Sequence, residues 1–328
     1  MVDRTIYTRT YSSTSAGELV SAKGSKGHPL SNIALLEEFQ NHSNQRNEEP
    51  TALVSASVRI IDTLKRAFDK YHLDGESPAD IWIAFIEIPS DTDDNAARIH
   101  SAKELAEKCK LCESSKFLYE VVFEWAIPEV YVVHKVSLQT LMNRRLQERY
   151  LLESSTGKVR QYFAREFQRL DSFEIGLTLG VFAQMFGARA PLHWISYQLF
   201  DDCVRSNILD DDVVRLHYAH NHTKIVDFQF FFDRDDGIET SLYDWWLTDT
   251  GFLLDYEEFD EWRDVTEDSM TEELIECWET WHLVNCDATF IQLSAKEQLS
   301  YDAAKNKVLI EHAKKKTIIE REAVRIGL

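Results

Sequence analysis

The chain has 328 residues, a net charge of −20 and 44% hydrophobic residues, so it can bury a sizeable core in one or two domains. It contains no run of eighteen apolar residues and no basic-then-apolar leader, so we expect neither a membrane span nor secretion. Its five scattered cysteines fit a reducing compartment, and we therefore expect a cytoplasmic protein.

The predicted elements alternate between strands and helices as far as residue 140. Apolar runs predict strands at 52–58, 81–88, 117–125 and 130–136, and a further N-terminal strand carries Arg9. Helical spacing predicts helices at 59–71 and 102–112. Few connections are long enough for parallel crossovers, so we expect this half to be α+β.

Beyond residue 140 helices dominate the prediction. They are expected at 138–152, 159–170, 173–186, 192–206, 256–262, 271–281 and 295–326. One short buried strand is predicted at 228–232. The sequence thus predicts an α+β half, 1–140, packed on a mainly helical half, 141–328.

The first half carries an arginine, a Ser-x-Ser pair and a glutamate, in that order. Arg9 lies in the first strand, Ser55 and Ser57 end the next one, and Glu124 ends a later one. This order resembles the Arg–Ser–Glu arrangement of ADP-ribosyltransferases. The resemblance implies a mixed α/β scaffold in which the arginine holds NAD phosphates, the serines brace the pocket and the glutamate stabilises an oxocarbenium-like ribose. Val122 departs from the pattern, which has Glu or Gln there, so we expect the scaffold rather than the activity.

The second half contains an aromatic tract that runs into acidic residues. Residues 228–232 include four phenylalanines, and Asp235, Asp236 and Glu239 follow as a DDxxE motif. A buried strand would hold these carboxylates rigidly, with a turn at Gly237. Such a cluster suits a cation, either Mg²⁺ held through a diphosphate or a guanidinium or ammonium group. The plainer interpretation is an acidic surface turn.

Other residue clusters in the chain are less specific. Trp245 and Trp246 fit either core packing or the wall of a substrate pocket. His217, His220 and His222 lie within six residues of one another, but they do not share one helical face. The CxxC sequence at 109–112 has no second pair. We therefore predict no metal site.

The charge is distributed unevenly along the chain. Residues 201–280 contain 24 Asp and Glu against five Lys and Arg, whereas residues 141–170 contain seven basic residues against three acidic ones. The overall sign argues against non-specific nucleic-acid binding, so we expect no DNA partner. The basic segment still permits a local RNA site.

The DDxxE motif of Asp235, Asp236 and Glu239, in a mixed α+β chain of this size, resembles the fungal arginine-containing cyclodipeptide synthases. The resemblance implies that arginine and a second amino acid, delivered as arginyl-tRNA and a second aminoacyl-tRNA, are joined into a diketopiperazine without a further cofactor. Glu124 would then serve as a base or as a partner of the guanidinium. The acceptor stem would dock on the basic segment, at Arg144, Arg145, Arg160, Arg165 and Arg169.

Two other functions remain open from the sequence. One is an ADP-ribosyltransferase-type enzyme that uses NAD, and the other is a non-catalytic protein that binds a partner through its acidic aromatic region. DDxxE also occurs in isoprenoid-diphosphate enzymes, but a motif that follows a strand in a fold that is not all-helical argues against them.

Overall fold

The computed structural model describes residues 5–254, apart from gaps at 16, 26–27, 45–48, 89–97, 147–154, 188–189 and 211–212, together with residue 310. The chain divides into two compact units, Val2–Glu239 and Thr240–Leu328. The boundary predicted at residue 140 falls inside the first unit, and the division into 1–140 and 141–328 stays a prediction. None of the described helices is long and apolar enough to cross a membrane.

The first half of the chain forms a six-stranded antiparallel sheet. Its strands are β1 (Thr5–Tyr11), β2 (Leu53–Ser57), β3 (Trp82–Ile88), β4 (Ile99–Ser101), β5 (Glu120–Glu124) and β6 (Val132–Ser137). Their order across the sheet is β4-β5-β2-β1-β3-β6. All the strands predicted before residue 140 are confirmed, and β4 is an additional short strand that the sequence did not predict.

Eight α-helices lie among the described residues. They are α1 (Asn32–Ser43), α2 (Ile60–His72), α3 (Ala102–Lys108), α4 (Leu138–Asn143), α5 (Thr156–Arg169), α6 (Ser172–Gln184), α7 (Leu192–Cys203) and α8 (Gln229–Leu254). Helix α1 was not predicted, because it buries only Leu35 and Phe39 and so has a weak apolar stripe. The helices predicted beyond residue 254 lie outside the described residues.

A second, three-stranded antiparallel sheet, which the sequence did not predict, lies among the helices that follow residue 140. It consists of β7 (Val204–Asp210), β8 (Val213–Tyr218) and β9 (His222–Val226). The helix predicted at 192–206 therefore ends at Cys203, where the chain turns into β7. The strands were missed because only one face of the sheet is apolar: Val214, Leu216 and Tyr218 are buried, whereas the residues between them are not.

The buried strand predicted at 228–232 is wrong, because this tract begins helix α8. The Asp227 side chain accepts a hydrogen bond from the Phe230 amide (3.3 Å), as a residue that caps a helix does. Phe230, Arg234 and Ile238 are buried and lie four residues apart, which is the spacing of one helical face. Residues 235 to 237 thus continue a helix and do not form a turn.

Two glycines let helices α6 and α8 cross at close range. A Cβ atom added to Gly237 would lie 2.2 Å from the Phe173 carbonyl oxygen. A Cβ atom added to Gly176 would lie 2.0 Å from the Arg234 carbonyl oxygen. The glycine that follows the two aspartates is therefore needed for helix packing and not for a turn.

A buried ion pair connects helix α2 with helix α7. The Arg59 Nε atom lies 2.9 Å from Asp202 Oδ1, and both side chains are buried. The Arg59 guanidinium also lies over the Tyr119 ring, 3.1 Å from its centroid. Burial raises the pKa of Asp202 to about 7, although the charge of Arg59 opposes this shift.

We predict that Gly237→Ala destabilises the protein by about 1–3 kcal/mol, because the new methyl group would push the two helices apart. Urea unfolding of the purified variant measures the change. The matched control is Gly157→Ala in helix α5, where an added Cβ atom meets no heavy atom within 4 Å. This control should leave stability unchanged or raise it by up to about 1 kcal/mol. Equal midpoints for both variants would show that α6 and α8 do not pack closely at these glycines.

Candidate functional site

Arg9 fills a gap between strands β1 and β2. These strands share one registered pair, Thr8 opposite Ser57. The Arg9 guanidinium donates hydrogen bonds to the carbonyl oxygens of Ser55 (2.6 Å), Glu18 (2.7 Å) and Gly17 (3.1 Å). Burial, with a contribution from the charge of Arg66, lowers the pKa of Arg9 to about 10. In this structure Arg9 therefore connects the sheet to the segment that follows β1.

A chain of hydrogen bonds joins Ser55 to His42 and Thr51. The Ser55 hydroxyl lies 2.5 Å from His42 Nε2, and His42 Nδ1 lies 2.9 Å from the Thr51 hydroxyl. In the tautomer with its proton on Nδ1, the imidazole donates to Thr51 and can accept the proton of Ser55. This is the order of nucleophile, base and orienting group that activated serines need.

The surroundings of His42 keep its imidazole neutral. Burial, together with the positive charges of Arg9 and Arg66, lowers the pKa of His42 to about 4. A neutral imidazole is the form that can take a proton from a hydroxyl. The same two guanidinium groups would stabilise negative charge that develops close to Ser55.

Ser57 and Glu124 do not join this cluster. The Ser57 hydroxyl accepts a hydrogen bond from the Arg59 amide and donates one to the Tyr119 carbonyl. Glu124, which is 4% exposed, accepts a hydrogen bond from the Leu30 amide (2.7 Å) and pairs with His100 Nε2 (2.8 Å). Glu124 therefore anchors the chain segment before helix α1.

The residue that faces Ser57 across the sheet is Glu120. Strands β2 and β5 pair with Ser57 opposite Glu120 and Leu53 opposite Glu124. Glu124 thus lies four residues further along β5 than Glu120, which is about 13 Å along the strand. The negative charge of Glu120 acts on Arg9 and partly opposes the lowering of its pKa by burial. The sequence missed both Glu120 and His42, because neither the register of the sheet nor helix α1 was predictable from local patterns.

The DDxxE motif lies on helix α8, where the chain itself supplies the guanidinium. Arg234 donates two hydrogen bonds to Asp235 Oδ1, at 2.7 and 2.8 Å. The Arg234 guanidinium also lies about 5 Å from the rings of Tyr197, Phe200 and Phe231. Asp235 is therefore paired with a guanidinium of the protein itself, and the binding of an external cation by the motif stays a prediction.

The other two residues of the motif differ in their surroundings. Glu239 Oε1 lies 2.7 Å from His193 Nε2 of helix α7, and both side chains are largely buried. Asp236 is exposed. Burial raises the pKa of Asp235, and its two acidic neighbours add to this shift against the charge of Arg234.

The helical position of the motif removes one argument against an isoprenoid-diphosphate site. The antiparallel sheets still differ from an all-helical fold.

Glu124 ends strand β5 of the first sheet, whereas the DDxxE motif lies on helix α8 and contacts helix α7 through Glu239 and His193. Trp194, next to His193, packs against Phe85 of strand β3. Strand β3 is three strands away from β5, which is about 14 Å. The predicted catalytic residues therefore form two separate groups.

The predicted RNA-binding arginines also lie in different environments. Arg165 and Arg169 are exposed on helix α5. Arg160 is half-buried, and its charge acts on the Arg59–Asp202 pair. Arg144 is largely exposed, but it donates a hydrogen bond to the Met185 carbonyl (3.0 Å), and Arg145 has a positive φ of 64° after helix α4. Arg165 and Arg169 thus lie four residues apart on one helix with both side chains exposed.

Several other predicted features can now be placed. The side chains of Trp245 and Trp246 lie outside the described residues. His217, His220 and His222 lie on the β8–β9 hairpin, and the His220 and His222 rings stack at 5.9 Å. Within the described parts of the chain, no group of three or more His, Cys, Asp or Glu side chains could hold a metal ion.

Comparison of the chain with protein-family models, curated proteins and solved structures gave no match.

We predict that the buried imidazole makes stability depend on pH. Because the pKa of His42 is lowered in the folded protein, His42 contributes stability above pH 6.5 that is lost as the pH falls towards 4. Between pH 7.5 and 5, wild type should lose on the order of 1–2 kcal/mol more unfolding free energy than His42→Gln, allowing for partial exposure of the imidazole. Urea unfolding at both pH values measures this difference. His222→Gln, at an exposed position, should behave like wild type, and equal losses in His42→Gln and wild type would contradict the assignment.

Proposed function

We propose that this protein transfers aminoacyl groups and is an aminoacyl-tRNA-dependent cyclodipeptide synthase that joins arginine to a second amino acid. The observation that carries the proposal is the hydrogen-bonded chain of Ser55, His42 and Thr51. Aminoacyl-tRNA is an activated ester, so its chemistry needs a nucleophile, a base and charge stabilisation at the carbonyl. The DDxxE motif supports the arginine-containing family by resemblance.

The first step would be attack of Ser55 Oγ on the ester carbonyl of an aminoacyl-tRNA. His42 Nε2 takes the hydroxyl proton as the Oγ–C bond forms. The positive charges of Arg9 and Arg66 favour the oxyanion through space, since the Arg9 guanidinium donates its hydrogen bonds to backbone carbonyls. When the bond between the carbonyl carbon and the ribose oxygen breaks, the imidazole returns the proton to that oxygen. The products of this step are an aminoacyl ester of Ser55 and free tRNA.

The remaining steps would build the ring on Ser55. The α-amine of the Ser55-bound residue attacks the ester of a second aminoacyl-tRNA, which forms the first amide bond and releases the second tRNA. The new terminal amine then attacks the Ser55 ester, which forms the second amide bond and restores the hydroxyl. Each step exchanges an ester for another ester or for an amide, so the route needs no other cofactor.

We predict that Ser55→Ala and His42→Gln each reduce diketopiperazine formation by at least about 100-fold, because each removes part of the acyl-transfer chain. The measurement is mass spectrometry of extracts from a host that expresses the full chain, followed by assay with purified aminoacyl-tRNAs. The control is Ser43→Ala, next to His42, where the deleted hydroxyl donates to the Gln40 carbonyl. Product formation that survives in Ser55→Ala would exclude Ser55 as the nucleophile.

An ADP-ribosyltransferase-type activity is the second candidate. The sheet order brings β1, β2 and β5 side by side, so Arg9, Ser57 and Glu120 lie on adjacent strands. Against this candidate, the Arg9 guanidinium already donates to three backbone carbonyls. Release of nicotinamide from NAD that is abolished in Glu120→Gln would favour it over acyl transfer. Absence of both diketopiperazine and nicotinamide would favour a non-catalytic interaction protein.

We predict that Arg165→Glu combined with Arg169→Glu weakens tRNA binding and lowers the salt slope by about two units, one for each phosphate that these side chains no longer neutralise. Filter binding of tRNA at several salt concentrations measures both effects. The matched control reverses the same two charges at Arg205 and Arg215, which are exposed on the three-stranded sheet. Equal decreases in affinity in both double variants would indicate general attraction and not a site on helix α5.

A further inference from the structure

One guanidinium beside the Ser55–His42 pair has no partner among the described residues of the protein. Arg66 lies on helix α2 and is exposed. Within the described part of the chain, no side chain or carbonyl forms an ion pair or a hydrogen bond with it. In contrast, Lys65 and Lys70 of the same helix are paired with carboxylates. Arg66 is therefore available to an anion from outside the protein.

Hydrogen bonds place helix α2 against strand β1, next to the end of strand β2. The Thr63 hydroxyl lies 2.7 Å from the Thr8 hydroxyl, which donates to the Ser57 carbonyl (3.2 Å). The Thr10 hydroxyl donates to the Thr63 carbonyl (2.7 Å). Residues three apart on a helix are neighbours on its surface, so Arg66 lies beside Thr63, close to the junction of β1 and β2.

The charge of Arg66 acts on two groups of the candidate catalytic site. Burial is the largest cause of the lowered pKa values of Arg9 and His42, and the charge of Arg66 adds to both shifts. The charge of Glu120 opposes the shift at Arg9. The charge of Glu38 opposes it at His42, but Glu38 already forms an ion pair with a lysine. These side chains together therefore carry a net positive charge, in a chain whose total charge is −20.

The proposed substrate brings a negative charge to the same place. In an aminoacyl-tRNA, the ribose that bears the reacting ester also carries the phosphodiester that joins the last two nucleotides. When Ser55 Oγ meets the ester carbonyl, this phosphate lies one ribose away from the hydroxyl. A guanidinium beside the serine can bind such a phosphate with two hydrogen bonds in one plane, whereas an ammonium group offers only a point charge.

We propose that Arg66 binds the phosphodiester next to the terminal adenosine of the aminoacyl-tRNA. The assignment rests on the proposed function, since it names the residue that would position the reacting ester at Ser55. Arg9 does not fit this role, because its guanidinium already donates to three backbone carbonyls. The contact is with the backbone of the nucleic acid, so it positions every aminoacyl-tRNA and does not select the amino acid.

A matched pair of substrates isolates this phosphate. Cytidylyl-adenosine with an arginyl ester on its terminal ribose is compared with the same ester in which a neutral methylphosphonate replaces the phosphodiester. In the full wild-type chain, kcat/KM for release of the dinucleotide should be about 5- to 20-fold higher for the charged linkage, as expected of a charge-assisted contact at an exposed site. In Arg66→Gln this ratio should fall below about twofold, and Arg66→Lys should restore part of it. Both esters lose the same stabilisation of the oxyanion, so the ratio reports the phosphate contact alone.

Two controls accompany these variants. Arg215→Gln removes an exposed arginine from the three-stranded sheet and should keep both the rates and the ratio of wild type. Because Arg66 is exposed, Arg66→Gln should keep the wild-type urea midpoint, which excludes misfolding as the cause of a changed ratio. Equal kcat/KM for the two esters in wild type, or an unchanged ratio in Arg66→Gln, would overturn the proposal.

Calorimetry with the unacylated dinucleotides separates this proposal from the proposed function. Tighter binding of cytidylyl-adenosine than of its methylphosphonate form, in wild type but not in Arg66→Gln, would support the phosphate contact even when neither ester reacts, and the absence of reaction would reject the synthase. Diketopiperazine formation with a ratio that does not depend on Arg66 would support the synthase and reject the contact. Binding of NAD that needs Arg66, with release of nicotinamide, would assign the guanidinium to a diphosphate and overturn its assignment to tRNA.

Discussion

The buried ion pair between Arg59 and Asp202 is the interaction on which the arrangement of the first compact unit depends. It fixes the start of helix α2, which packs on the six-stranded sheet, to the end of helix α7, which leads into the three-stranded sheet. Removing one partner of such a pair leaves a buried charge without compensation, at a cost of about 3–5 kcal/mol. Burial raises the pKa of Asp202 to about 7 against the charge of Arg59, so burial opposes the ionised carboxylate and the packing around the pair holds the two side chains together.

Close helix packing explains the acidic tract better than a turn does. Gly176 and Gly237 allow α6 and α8 to approach, and Arg234 is then enclosed between aromatic rings and Asp235. Part of the DDxxE motif therefore stabilises the helix layer. Asp233 lies on the same helix but faces a cleft beside the three-stranded sheet, where its hydrogen bonds come from neutral groups. Two aspartates that lie two positions apart in the chain thus have different surroundings.

The candidate catalytic group is assembled from segments that are far apart in the chain. Ser55 comes from a strand and His42 from the last turn of a helix, while Arg9 crosses from the neighbouring strand. Burial and the two arginines together keep the imidazole neutral, and the same positive charges favour an oxyanion. The surroundings of His42 therefore prepare both the base and the charge stabilisation that acyl transfer needs.

The sequence by itself determined most strands and helices of the first half, because apolar runs and helical spacing there reflect local burial on one face. It also identified Arg9, Ser55 and the acidic tract as unusual. The tertiary structure decided that residues 228–232 begin a helix. Four phenylalanines in five residues fit the pattern of a buried strand as well as that of a buried helix, and only packing against α6 and α7 favours the helix. It likewise decided which residues meet: the register that places Glu120 opposite Ser57, and the packing that brings His42 to Ser55, depend on interactions between residues far apart in the chain.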